Sequence, residues 1–183
     1  MKTREAAGIA ARSPVPPWQQ ILDLFEPEEG RRALPDVYVD NMTPDQMIAV
    51  YDWVMSQCRA SEADIVWHIK ERKDVPVVAV RDVARAYVAG EIESFRHGLF
   101  GLSIDGVELP HLTVCTEGPG GLSFDYEKGP DWNEQTIDAL LELLARIREM
   151  VPQAHIWHAE EGYSDRPTPH FTAALLQFEI ERG

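Results

Sequence analysis

Only two of the 183 residues are cysteine, Cys58 and Cys115, and they lack the C-x-x-C spacing of a redox or zinc site. This excludes a disulfide-built secreted scaffold and favours two buried thiols in a reducing compartment. Basic side chains are also scarce: 17 Lys and Arg stand against 31 Asp and Glu, for a formal charge of −14. Such a field repels DNA, RNA and anionic membrane surfaces, so neither nucleic acid nor membrane is expected as a partner. No run of about eighteen apolar residues is present to span a membrane, and the start lacks an apolar core of signal-peptide length. An Ala-rich, Arg-containing beginning raises an organelle transit peptide, against which Glu5 and the few hydroxyl residues argue. A cytoplasmic protein is expected.

Catalytic signatures are missing as well. No serine lies in a G-x-S-x-G elbow. The glycines at 118, 120 and 121 lack a Walker lysine and lead into strand-like sequence, so they read as a hairpin loop rather than a phosphate cradle. No cofactor is expected.

What is present suits a packed core. Apolar residues make up 44% of the chain, with five Trp, five Tyr and six Phe, well above a disordered composition. Residues 1–16, with Pro14 and Pro16 at their end and Pro17 next, read as a flexible tail, leaving 17–183 as one α+β domain. Trp18, Ile21, Leu22 and Phe25 recur at helical spacing until the Pro27-Glu28-Glu29-Gly30 cluster. Thr43-Pro44-Asp45-Gln46 is a capping-box start, and Met47, Val50, Tyr51, Val54, Met55 and Cys58 form the apolar stripe of a helix over 44–58.

Further on, Ile65, Trp67 and Ile69 alternate with Val66, His68 and Lys70, as in a half-buried strand over 64–71. Residues 77–89 read as a helix stopped by Gly90. Strands over 95–104, 108–117 and 121–128, separated by Asp105-Gly106 and Gly118-Pro119-Gly120-Gly121, form a β-meander. Asp131 with Glu134 resembles a capping box for a helix whose stripe is Ile137, Leu140, Leu141, Leu144 and Ile147. That helix must cover the meander, because neither element can bury its own apolar surface. Residues 154–159 read as a strand. So does the C-terminus, where Leu176, Phe178 and Ile180 alternate with acids, although Phe171, Ala174, Leu175 and Phe178 also satisfy a helical period. The fold expected is α+β: an antiparallel β-meander with added strands, covered on one side by amphipathic helices, with a helical N-terminal third.

Candidate sites are few. His155 and His158 should diverge on a strand, and the looser set His158, Glu160, Glu161, Asp165 and His170 reads as a solvated loop rather than a metal site. Cys115 and His111 share a strand face about 13 Å apart, too far for a dyad; a Cys115–His158 pairing across strands is the remaining nucleophile option. Asp125 and Glu127 share a face about 6.6 Å apart, compatible with paired carboxylates but also with simple alternation.

The expected function is that of a non-enzymatic acidic protein docking a basic protein partner. The candidate binding residues are Asp125, Glu127, Trp157, Glu160, Glu161, Tyr163 and Asp165, which offer carboxylates beside aromatic anchors. Small acidic α+β chains are used as immunity proteins or antitoxins against secreted bacterial toxins; the expectation of such an inhibitor, in a bacterium, rests on size and charge and on no motif. The alternatives are a small hydrolase with its site near the 158–170 loop, and a structural homo-oligomer, such as a homodimer, joined through an edge strand at 171–181.

Overall fold

The computed structural model describes residues 15–27 and 34–183, with nothing described for the side chains of residues 61–63. Most of the expected tail, and Glu28 to Gly30 of the first helix stop, lie outside the described residues. The chain is mixed α+β, and its frame is a six-stranded, wholly antiparallel sheet.

In order come α1 (Pro17–Gln20), a 3-10 turn at Leu22–Leu24, β1 (Asp36–Asp40), α2 (Pro44–Ser56), β2 (Ala60–Ala63), β3 (Ile65–His68), β4 (Lys73–Pro76), a 3-10 turn at Val77–Ala79 and α3 (Val83–Val88). Then follow β5 (Arg96–Phe100), β6 (Ser103–Ile104), β7 (Val107–Glu108), β8 (Leu112–Thr116), β9 (Leu122–Tyr126), α4 (Glu134–Met150), β10 (His155–Ala159) and α5 (Pro169–Arg182). The main sheet runs β10-β1-β9-β8-β5-β2, so the expected meander is its continuous centre. Its first hairpin is interrupted at Gly101, which has φ +61 and packs so closely on Arg59 that a Cβ would lie 2.6 Å from Nε. The hairpin tip, β6–β7, turns through Asp105 and Gly106, both at positive φ.

Strand alternation sorts the sheet into two faces. Val37, Val39, Leu99, Leu112, Val114, Leu122, Phe124 and Ile156 are buried in one apolar cluster. On α4, Ile137, Leu140, Leu141, Leu144 and Ile147 join that cluster, each buried side chain contributing about 1.5–3 kcal/mol by leaving water. In α2 the expected capping box is present: Thr43 accepts from the Gln46 amide, and Gln46 accepts from the Thr43 amide. Gly90 stops α3 as expected, at φ +71.

Several expectations are corrected. The 77–89 helix is a 3-10 turn followed by only six α-helical residues, since Asp82 between them sits at φ +49, a left-handed conformation. The cap of α4 is Asn133, not Asp131: its side chain accepts from the amides of Gln135 and Thr136, and Thr136 Oγ1 accepts from the Asn133 amide. The strand at 65–68 exists, but Val66 faces the core while Ile65, Trp67 and Ile69 are exposed. Alternation tells which residues share a face, not which face is covered; β3 pairs along its length with β4 and adds a single bridge from His68 to Ile92.

The C-terminal strand is a helix. Pro169 opens α5 after Thr168, and Phe171, Ala174 and Leu175 are buried on the 3.6-residue period, whereas Leu176 and Ile180 are exposed. The strand edge at 171–181 that a homodimer would have used is therefore not there. Among the described residues no helix is long and apolar enough to cross a membrane.

Candidate binding face of the sheet

The second face of the sheet carries the complementary set from each strand. Asp36, Tyr38 and Asp40 come from β1, Ser123 and Asp125 from β9, Thr113 and Cys115 from β8, Arg96 from β5, and Trp157 from β10. Cross-strand register sets their neighbours: Asp36 lies opposite Asp125, Tyr38 opposite Trp157, Cys115 opposite both Ser123 and Arg96. A cleft of about 570 Å³ opens on this face. Its walls come from strands and connecting segments, with Asp36, Tyr38, Arg96, Glu117, Asp125 and Glu161 supplying the polar groups.

The charges are crowded. Arg96 pairs with Asp125, and Asp36 is hydrogen-bonded to Asp125 beside it. Burial, then the bond and the charge of Asp125, then the charge of Glu117, push the Asp36 carboxyl up to about 8. Near neutral pH Asp36 therefore tends to keep its proton. Tyr38 donates toward Asp36 at 3.4 Å, and burial with the neighbouring carboxylates pushes its hydroxyl up to about 12. Glu117 is held over the face by Ser123 Oγ, which donates to it at 2.9 Å.

The turn bearing Glu117 needs its glycines. A Cβ on Gly120 would fall 2.3 Å from the Met42 carbonyl oxygen, and the Met42 amide donates to the Gly120 carbonyl at 3.1 Å. Aromatic surface adjoins the cleft: Tyr38 stacks on Trp157 with centroids 4.2 Å apart, and Trp157 Nε1 donates to Asp40 Oδ2 at 2.8 Å.

The expected binding residues divide. Asp125 and Glu161 meet at the cleft, and Trp157 stacks beside it. Glu160 instead pairs with the nearly buried Lys128 at 3.0 Å. Tyr163 lies under the Arg166 guanidinium, 5.3 Å from ring centre to Cζ, and Asp165 is exposed in the same loop. Glu127 follows the end of β9 and is exposed, while Asp125 pairs with Asp36 across the sheet. Sequence reasoning missed Asp36, Tyr38, Arg96 and Glu117. The signal for the first two was available in Asp36-Val37-Tyr38-Val39-Asp40, a clean period of two.

Nucleophilic and metal chemistry find little support. Cys115 donates to Asp125 at 3.6 Å, and burial and that carboxylate push its thiol up to about 12. His158 faces away, on the core side of β10, with two strands between it and Cys115. It bonds Tyr126 through Nε2 at 2.9 Å and Thr168 through Nδ1 at 2.8 Å, and burial holds it down at about 3. All partners are satisfied when Thr168 donates to Nδ1, Nε2 donates to Tyr126, and Tyr126 donates to the Leu24 carbonyl. Among the described residues no group of three His, Cys, Asp or Glu is arranged to hold a metal ion.

No family model and no curated protein matches this chain. Among solved structures, the fold is similar to a chain in the crystal structure of the toxic C-terminal tip of CdiA from Pseudomonas aeruginosa in complex with immune protein. The TM-score is 0.50 at 12% identity, over 74% of this chain and 90% of that chain, so the likeness is one of fold.

Proposed function

We propose that this chain is an acidic binding protein of the immunity or antitoxin type, which silences a basic protein partner by docking it. The observation that carries the reading is the face of the sheet opposite the helices. Among the described residues it presents a cleft of about 570 Å³ with four carboxyl groups, Asp36, Glu117, Asp125 and Glu161, and one guanidinium, Arg96. Clustered charge of one sign steers an oppositely charged partner, and the Tyr38–Trp157 stack supplies the rigid apolar contact that slows dissociation. The fold likeness to a chain from a toxin and immune-protein complex supports the same reading.

The test is growth protection. The chain is expressed alone in a bacterial host and then together with each of a panel of CdiA-type toxic tips. Protection against one tip, with a complex of the two proteins on size-exclusion chromatography, is the expected result. Growth arrest by the chain alone would place it on the toxin side and end the proposal.

One observation favours a hydrolase instead: Asp36 and Asp125 are adjacent, hydrogen-bonded carboxyls, and burial with the neighbouring charge raises Asp36 toward the range of a general acid. Arg96 already neutralises Asp125, and the nearby thiol is unactivated, so the binding reading is preferred.

A further inference from the structure

Exposed apolar side chains gather on the β3–β4 hairpin. Ile65 is 69% exposed, Trp67 38%, Ile69 45% and Val78 58%. The first three are alternate residues along β3 and just past its end, so they share one face over about 13 Å of strand. Across the hairpin Pro76 lies opposite Ile65 and leads toward Val78, while Asp74 lies opposite Trp67. The reverse face packs on the core through Val66 and Val75. Residues 91–93 close the far edge of β3: the Ile69 amide donates to the Glu91 carbonyl at 2.8 Å, and the Glu93 amide to the Trp67 carbonyl at 3.0 Å. On β4, Lys73, Asp74 and the donorless Pro76 are residues of the kind with which a strand edge resists pairing. What the hairpin offers a partner is its apolar face.

Charge selects the partner. The chain carries −14 overall, and two such chains repel. Over 64–78, however, the bases Lys70, Arg72 and Lys73 balance the acids Asp64, Glu71 and Asp74. The signs are also separated along the hairpin. The cations sit at the turn, where Lys73 pairs with Glu71 at 2.7 Å, whereas Asp74 lies behind them opposite Trp67 and Asp64 lies at the base. A second copy laid face to face with its strands reversed sets each cationic turn over the acids of the other, a self-complementary two-fold contact. A basic partner of the kind the cleft attracts meets no opposite net charge here, and an anionic bilayer would meet Asp74 beside Trp67.

We infer that two copies of this chain associate through the outer face of the β3–β4 hairpin. Trp67 of each packs near the two-fold axis, and Lys70 and Arg72 of each copy face Asp64 and Asp74 of the other. This surface shares no lining residue with the acidic cleft, and the inference goes beyond the binding reading above without resting on it.

The test is sedimentation velocity of the full chain from low to high micromolar concentration, where a concentration-dependent dimer is expected. Trp67→Ala should raise the dimer Kd about tenfold or more, as loss of a central aromatic does. Ile180→Ser, at an exposed apolar position of α5, should leave it unchanged. Two charge-reversed chains, one with Lys70→Glu and Arg72→Glu, the other with Asp64→Lys and Asp74→Lys, should each be monomeric alone and form a dimer when mixed. A chain that stays monomeric throughout overturns the inference, even if this face then binds a toxic tip, anionic vesicles or the chain's own residues 1–14. So does a dimer that Trp67→Ala leaves intact or that Ile180→Ser weakens equally. Reversed chains that are folded by circular dichroism yet do not pair when mixed overturn it as well.

Discussion

Asp36 and Asp125 lie directly opposite each other on β1 and β9, with Arg96 paired to Asp125. Burial first, then the hydrogen bond and charge of Asp125 and the charge of Glu117, raise Asp36 to about 8. A folded value above the unfolded 3.8 means this group's stabilising effect is present in acid and is lost as pH rises through about 8. Asp36→Asn, which cannot ionise, should gain stability relative to wild type above pH 8, on the order of 1–3 kcal/mol after screening. Urea melts at pH 5 and pH 8.5 measure it; an equal difference at both would show that Asp36 does not titrate there.

His158 acts in the opposite sense. Its folded value near 3 lies below the ordinary 6.5, because burial first, and then Lys128 and His170, disfavour the charged ring. The stability it contributes is full above about 6.5 and falls as the solution is acidified toward 3. Thermal melts of wild type across this window should drop more steeply than those of His158→Gln. Parallel curves would mean that the ring is not held neutral.

Gly120 is predicted to tolerate no side chain. In Gly120→Ala the new methyl meets the Met42 carbonyl oxygen at 2.3 Å, a backbone contact that cannot swing away. A loss of about 1–3 kcal/mol is expected from the forced shift of the turn. Gly129→Ala, where nothing lies within 4 Å, is the control and should cost far less.

The start of α4 supplies a further test. Asn133→Ala removes the acceptor for two amides and should cost about 1 kcal/mol, while Asp131→Ala, whose side chain takes no part in the cap, should cost a few tenths. The reverse order, read from denaturant midpoints, would restore Asp131 as the cap.

Neither thiol should be reactive in the folded chain. Burial pushes Cys58 up to about 11, and burial with Asp125 pushes Cys115 up to about 12. A thiol reagent at pH 7.4 should label both only on unfolding; rapid native labelling of Cys115 would reopen nucleophilic chemistry in the cleft.

Much of the fold was legible because its signals are local. The capping box at Thr43, the stripe on α4, the Asp105-Gly106 turn and the three meander strands each follow from spacing within a few residues. The C-terminal segment was not, since Phe171, Ala174 and Leu175 satisfy one period while Leu176, Phe178 and Ile180 satisfy another. Only burial against α1, α4 and β10 decides between them, and that depends on elements far away in the chain.

The sequence by itself determined the acidic charge, the absence of a disulfide framework, the α+β class and the carboxylates at 125 and 161 that reach the cleft. The tertiary structure alone decided which carboxylates meet. Asp36 and Asp125 are 89 positions apart in number, and their adjacency is set by the β1–β9 register. Local periodicity assigns a residue to a face of its own strand; which strands become neighbours is settled by how the whole core packs, and the charge crowding that makes the cleft distinctive exists only after that choice.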